Sequence, residues 1–212
     1  MKAPRLLLAV IAGLLLPLPA VRPAHASGFS SDLSVAIRVT ERYWSMKIVG
    51  FRPVARIQPY IVDGQLSCGL QPIPAQNAVY CPLGDFIAYD ERWAAAVYDK
   101  MGDAFVFYLL THEYGHAVQE RLGIQYQYTI HQELQADCFA GATIGDSIRV
   151  GDLSLESGDI EELRNGLEWV GDPPDEPWFQ EGAHGSPAQR TASFFSGYEQ
   201  GLAACDVPDP LH

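Results

Sequence analysis

THEYGHAVQE, residues 111–120, places two histidines four positions apart with a glutamate directly after the first. At about 100° per residue, His112 and His116 differ by about 40° around a helix and sit one turn apart, so both imidazoles can reach one ion. Glu113 lies about 100° round from His112, wrongly placed to ligate beside the histidines but able to lean over the open side of a metal. This is the H-E-x-x-H arrangement, two zinc ligands with a general base between them. Six histidines and twelve glutamates in 212 residues produce the pattern by accident about 0.01 times. The competing reading is a polar patch on a helix surface. Against it stands the apolar run that leads in, Phe105-Val106-Phe107-Tyr108-Leu109-Leu110, which starts both histidines in the interior, where imidazoles need partners.

A catalytic zinc with two histidines needs a third protein ligand and an open position for water. Downstream stand His131, Glu133 and Asp137. Glu133 and Asp137 are four apart and share a helix face, whereas His131 is about 200° from Glu133 and points away. Glu133 is therefore the preferred ligand. Asp137, one turn on, is placed to accept the free N–H of a ligating histidine. Asp137 or His131 as the ligand are the alternatives.

The flanking sequence sets the frame. Ser31 and Asp32 can cap a helix reaching about residue 46, and from 51 to 88 the texture turns to proline, glycine, β-branched and aromatic residues. Short strands are expected at 57–62, 78–81 and 86–89, forming a small antiparallel sheet. Helices follow at 90–100, from an Asp103 N-cap to Gly123, from a Thr129-x-x-Gln132 capping box to the upper 140s, at 159–170, and from Ser186-Pro187 to about 200. Residues 171–186 carry little pattern and are long for a connection in a compact domain. The expected fold is α+β, a mainly helical single domain with a small antiparallel sheet.

Residues 1–26 read as a secretory signal peptide: Lys2 and Arg5, an apolar run from Leu6 to Leu16, then Ala24-His25-Ala26. The run is well short of the roughly 20 residues that span a bilayer; an uncleaved anchor is the alternative. Cleavage would leave residues 27–212 as one domain outside the cytoplasm, secreted, periplasmic or at the cell surface, with no membrane association of its own. It would also remove Lys2, Arg5 and Arg22 and no acid, taking the net charge from −12 to −15. Such acidity argues against nucleic acid and anionic membranes as partners. Acids concentrate over 152–181, where Arg164 is the only base, as on a solvated face. Four cysteines in an oxidising compartment imply two disulfides and three possible pairings. Cys68 with Cys81 and Cys138 with Cys205 are preferred, worth about 3 and about 4 kcal/mol in the chain-entropy model. The second would lash the helix bearing Glu133 to the C-terminal helix.

Several motifs stand in one order: HEYGHAVQ at 112–119, ELQADCFAG at 133–141, HGSPAQR at 184–190 and F-x-x-G-Y-E-x-G at 194–201, preceded by Val79-Tyr80-Cys81-Pro82. Together they resemble the bacterial neutral zinc metallopeptidase family, over roughly residues 60–206. The resemblance implies a zincin-like fold, zinc held by His112, His116 and Glu133, and Glu113 as the catalytic base; it leaves the substrate open. His184 is the candidate to steady an oxyanion, because it precedes a helix cap in a long loop and belongs to the family pattern; Arg190, Tyr126 and Tyr128 are its rivals. The expected activity is an exported zinc metallopeptidase acting on a peptide or protein, which an edge strand of the sheet could take as an added strand. A non-catalytic zinc-binding protein and a zinc hydrolase of a cell-wall amide are the alternatives. Oligomeric state is left open.

Overall fold

The computed structural model describes residues 28–206, so the expected signal peptide lies outside the described residues. Helix α1 (Phe29–Lys47) is followed by strands β1 (Arg56–Tyr60), β2 (Ser67–Cys68), β3 (Gln71–Pro72), β4 (Ala78–Cys81) and β5 (Phe86–Asp90). Helices α2 (Glu91–Met101), α3 (Asp103–Leu122), α4 (Thr129–Arg149), α5 (Asp159–Trp169) and α6 (Pro187–Gln200) complete the chain with a 3₁₀ turn at Gly201–Ala204. The class is α+β and mainly helical, as the patterning implies. No described helix is long and apolar enough to cross a membrane.

Helix α3 is the axle. Its buried residues run from Ala104 to Gln119 on every side, so it must be surrounded, and α1, α2, α4, α5 and β4 all pack on it. Helix α4 lies against it and is backed by α6, where glycine brings the two backbones into direct contact. A Cβ on Gly141 would overlap the Phe194 carbonyl, one on Gly145 the Tyr198 carbonyl, and one on Gly197 the Cys138 carbonyl. Gly141→Ala is therefore expected to force α4 and α6 apart and to destabilise the protein by about 1–3 kcal/mol or more. Chemical denaturation under oxidising conditions measures this, and an unchanged midpoint would refute the close packing. A disulfide adds a covalent tie, from Cys138 of α4 to Cys205 just after the 3₁₀ turn that follows α6, with Cα atoms 5.5 Å apart.

The sheet corrects one expectation. β5 is central, with β4 antiparallel on one side and β1 parallel on the other, so the sheet is mixed and not purely antiparallel. The tight turn after Cys81 forces β4 and β5 to run oppositely. Between β1 and β4 the chain instead makes a long excursion through the β2–β3 hairpin, stapled by Cys68 to Cys81 with Cα atoms 5.4 Å apart. That excursion lets β1 enter on the far side of β5 with the same polarity. β4 is thereby left as an edge strand beside α3.

Two helix starts also differ from expectation. Thr129 is the first residue of α4 and Tyr128 its N-cap. The Thr129 hydroxyl accepts from Gly182 N at 3.0 Å and donates to Gln180 O at 3.4 Å, pinning the 171–186 loop to α4 in place of a capping box. Gly102 stands at the N-cap of α3 with φ 101°, a backbone that favours glycine. A Cβ there would overlap the Glu162 carboxylate, which itself accepts from Ala104 N at 3.3 Å. By contrast, Ser186 and Gln189 form the full reciprocal box at the start of α6, with Pro187 next.

Candidate active site

The site is built where α3 and α4 touch. Gly115, inside the opening motif, allows this: a Cβ there would stand 3.1 Å from Ala136 Cα. α3 presents His112, Glu113 and His116, and α4 presents Glu133 and Asp137. One donor atom from each of His112, His116 and Glu133 lies within 4.8 Å of the others. His112 Nε2 is 3.2 Å from Glu133 Oε2, and His116 Nε2 is 3.4 Å from Glu133 Oε1.

The other ring nitrogens are engaged from behind. His112 Nδ1 lies 2.8 Å from Asp137 Oδ1, and His116 Nδ1 lies 2.9 Å from Gln119 Oε1. Gln119 is held with its oxygen toward the ring, because its Nε2 donates to Gln132 O at 2.7 Å and to Gln135 Oε1 at 3.0 Å. The acceptors at both Nδ1 atoms favour a proton there, and both Nε2 atoms converge on the Glu133 carboxylate. Two imidazole nitrogens and one carboxylate, with an open side toward the cleft, form a donor set that fits catalytic zinc.

Asp137 is wholly buried and lies behind the three converging side chains, not among them. It accepts from Arg190 Nε and Nη2, both at 2.9 Å, and from the Tyr108 hydroxyl at 2.6 Å. Arg190 also donates from Nη2 to Tyr108 at 2.8 Å and from Nη1 to Val170 O at 3.0 Å. Burial pushes the Asp137 carboxyl up, but Arg190 and His112 outweigh it and hold it below the usual range. Burial presses the His112 imidazolium down, yet Asp137 and Glu133 push it up to about 10. Glu133 feels the same opposition: burial raises it, and hydrogen bonds from His112 and His116 keep it well below an ordinary carboxyl. Arg190→Gln would leave a buried carboxylate short of its cation, a change that costs about 3–5 kcal/mol. It is expected to weaken zinc binding about 10- to 100-fold, measured by competition with a chromophoric chelator; undiminished affinity would refute the link.

Glu113 sits on the floor of a cleft of about 630 Å³ that also exposes His112, His116 and Glu133. Its Oε2 accepts the Tyr80 backbone N–H of edge strand β4 at 2.7 Å. Burial raises its pKa, against the pull of His116 and His112, which suits a carboxylate that must take up a proton. His184 lines the same cleft, half exposed, with Nδ1 3.3 Å from Asp172 Oδ1 and its backbone N–H on Asp172 Oδ2 at 2.6 Å. Its rivals are engaged elsewhere. The Arg190 guanidinium is committed to Asp137, Tyr108 and Val170; Tyr126 lines a separate cavity; Tyr128 packs on Trp178 and His131. His131 is exposed and lines the same separate cavity as Tyr126. Sequence reasoning missed Tyr108, Gln119, Gly115 and the Tyr80 N–H.

Two histidines a turn apart, a buried glutamate between them and a carboxylate from the next helix match the ligand-and-base pattern that a zinc hydrolase centre requires. In agreement, residues 38–207 match the family described as "putative neutral zinc metallopeptidase", and the chain belongs to that family. It is 32% identical over 146 residues to the uncharacterized protein YpfJ of Escherichia coli (strain K12), covering 58% of this chain and 50% of that protein. It is 27% identical over 192 residues to the uncharacterized protein Rv2575 of Mycobacterium tuberculosis (strain ATCC 25618 / H37Rv), covering 74% and 63%. The chain thus spans about half the length of the first of these relatives. No solved structure matches it.

Proposed function

We propose that the protein is an exported zinc-dependent metallopeptidase, with His112, His116 and Glu133 as metal ligands and Glu113 as general base. The observation that carries this reading is the convergence of both Nε2 atoms on the Glu133 carboxylate at the floor of an open cleft, beside a buried Glu113. A zinc ion bound there would polarise a substrate carbonyl and acidify water. Glu113 takes the proton from the attacking water and delivers it to the leaving amine. The Tyr80 N–H fixes one of its oxygens, so the other faces the cleft. Asp137 and Gln119 hold the imidazoles against rotation, and Arg190 and Tyr108 hold Asp137. His184 on the rim is the group assigned to the developing oxyanion. Beside the Tyr80 N–H that Glu113 takes, the outer edge of β4 offers main-chain partners to an extended substrate.

Two disulfides support an oxidising destination, and the acidic chain disfavours nucleic acid as substrate. The deciding experiment combines elemental analysis of the purified protein with a peptide-library digest. Zinc near one equivalent together with hydrolysis is expected. Zinc without hydrolysis of any peptide would leave a binding protein or a hydrolase of another bond.

A further inference from the structure

The cleft differs at its two ends. Along α3 its lining runs Leu109, His112, Glu113, His116 and Glu120, over which a helix advances about 16 Å. Leu109 and Glu120 flank the two imidazoles, each about one turn, 5 Å, beyond the nearer one. An extended peptide repeats every ~3.3 Å, so these positions face the side chains next to a bond held at the metal. At the Glu120 end the lining is polar, with Gln132. At the Leu109 end the wall is aromatic. Trp93 from α2 and Trp169 from the end of α5 stack with centroids 6.2 Å apart and planes 28° apart, and both line the cleft with Val170.

Trp169 is 48% exposed, a large apolar face left open inside a concavity, where such a face marks a binding surface. The wall is also held in place from behind. Phe105 packs edge-on against Trp169 at 6.1 Å, and Arg190 Nη1 fixes the Val170 carbonyl at 3.0 Å. A small apolar cavity adjoins the same end, sharing Ala78, Trp93, Leu109 and Glu113 with the cleft. Its volume of about 30 Å³ leaves room for the tip of a side chain and no more.

We propose that Trp93, Trp169 and Leu109 form a specificity subsite that takes a large apolar side chain of the substrate, aromatic or long aliphatic, on one side only of the scissile bond. This rests on the peptidase reading. A sugar ring could also stack on indole, and Gln76 and Asn77 lie on the cleft. The adjoining cavity, however, is lined mainly by hydrocarbon, with Phe29, Leu33, Ile87, Val106 and Leu110 around Glu113, which favours an apolar side chain over a ring of hydroxyls.

The test uses the zinc-loaded protein, a peptide library, and two matched peptides with Phe or Ala at the selected position. Cleavage sites are expected to carry large apolar residues on a single side of the bond, with a Phe-over-Ala ratio in kcat/KM of about 10 to 200. Trp169→Ala should bring that ratio toward unity with zinc retained, and Trp169→Phe should recover most of it. Cleavage indifferent to neighbouring side chains, or a ratio unmoved by Trp169→Ala, overturns the subsite while leaving the peptidase reading intact. A zinc-loaded wild type that cleaves no peptide overturns the peptidase reading and the side-chain occupant with it. So does activity confined to the non-peptide amide of a cell-wall polymer.

Discussion

Glu113→Gln is expected to keep zinc near one equivalent and to lower peptide hydrolysis by about 10²- to 10⁴-fold or more, the range general-base catalysis supplies. The substitution is nearly isosteric, and the amide oxygen can still accept the Tyr80 N–H that lies 2.7 Å from Glu113 Oε2. Neither metal ligand nor packing is altered, so the loss is chemical. A second readout separates this from misfolding. Burial penalises the Glu113 carboxylate, and a neutral amide escapes that penalty, so the thermal midpoint should hold or rise while activity falls. Library cleavage by the variant at the wild-type rate would sink the assignment.

The opening motif could be read from sequence because covalent spacing on one helix dictates where His112, Glu113 and His116 go. The placement of Glu133 and Asp137 followed by the same reasoning on the next helix: only one of its faces can turn toward the two histidines. Arg190 and Tyr108 did not follow. They reach Asp137 from 53 and 29 residues away, and no local period records such contacts. A signal was nevertheless present, since a carboxylate buried behind a histidine demands a cation, and Arg149, Arg164 and Arg190 are the only basic residues after the ELQADC motif. The parallel entry of β1 escaped for a related reason. Alternation along a strand says which face is buried, but not which neighbour lies alongside or in which direction. Thr129 was misread because a hydroxyl near a helix start has rival partners, and the Gln180–Gly182 stretch of the long loop took it.

His112→Ala should abolish both metal and activity, and the way it fails distinguishes it from Glu113→Gln. Removing the imidazole deletes one of three converging donor atoms and leaves a two-ligand site that zinc does not hold against dialysis. Hydrolysis should then drop to background, beyond the loss from Glu113→Gln, because water activation and carbonyl polarisation vanish together. Asp137 keeps Arg190 and Tyr108 as donors, so no unpaired buried charge forces unfolding. Zinc that binds only the folded state adds about 4 kcal/mol at a free concentration a thousandfold above Kd. For a chain of this size that corresponds to about 8–16 °C in Tm. A strong chelator should therefore lower the wild-type midpoint by that order and leave His112→Ala unmoved. A variant that still bound one equivalent of zinc would take His112 out of the ligand set, and a wild type whose midpoint ignored the chelator would refute zinc as a stabilising ligand of the folded chain.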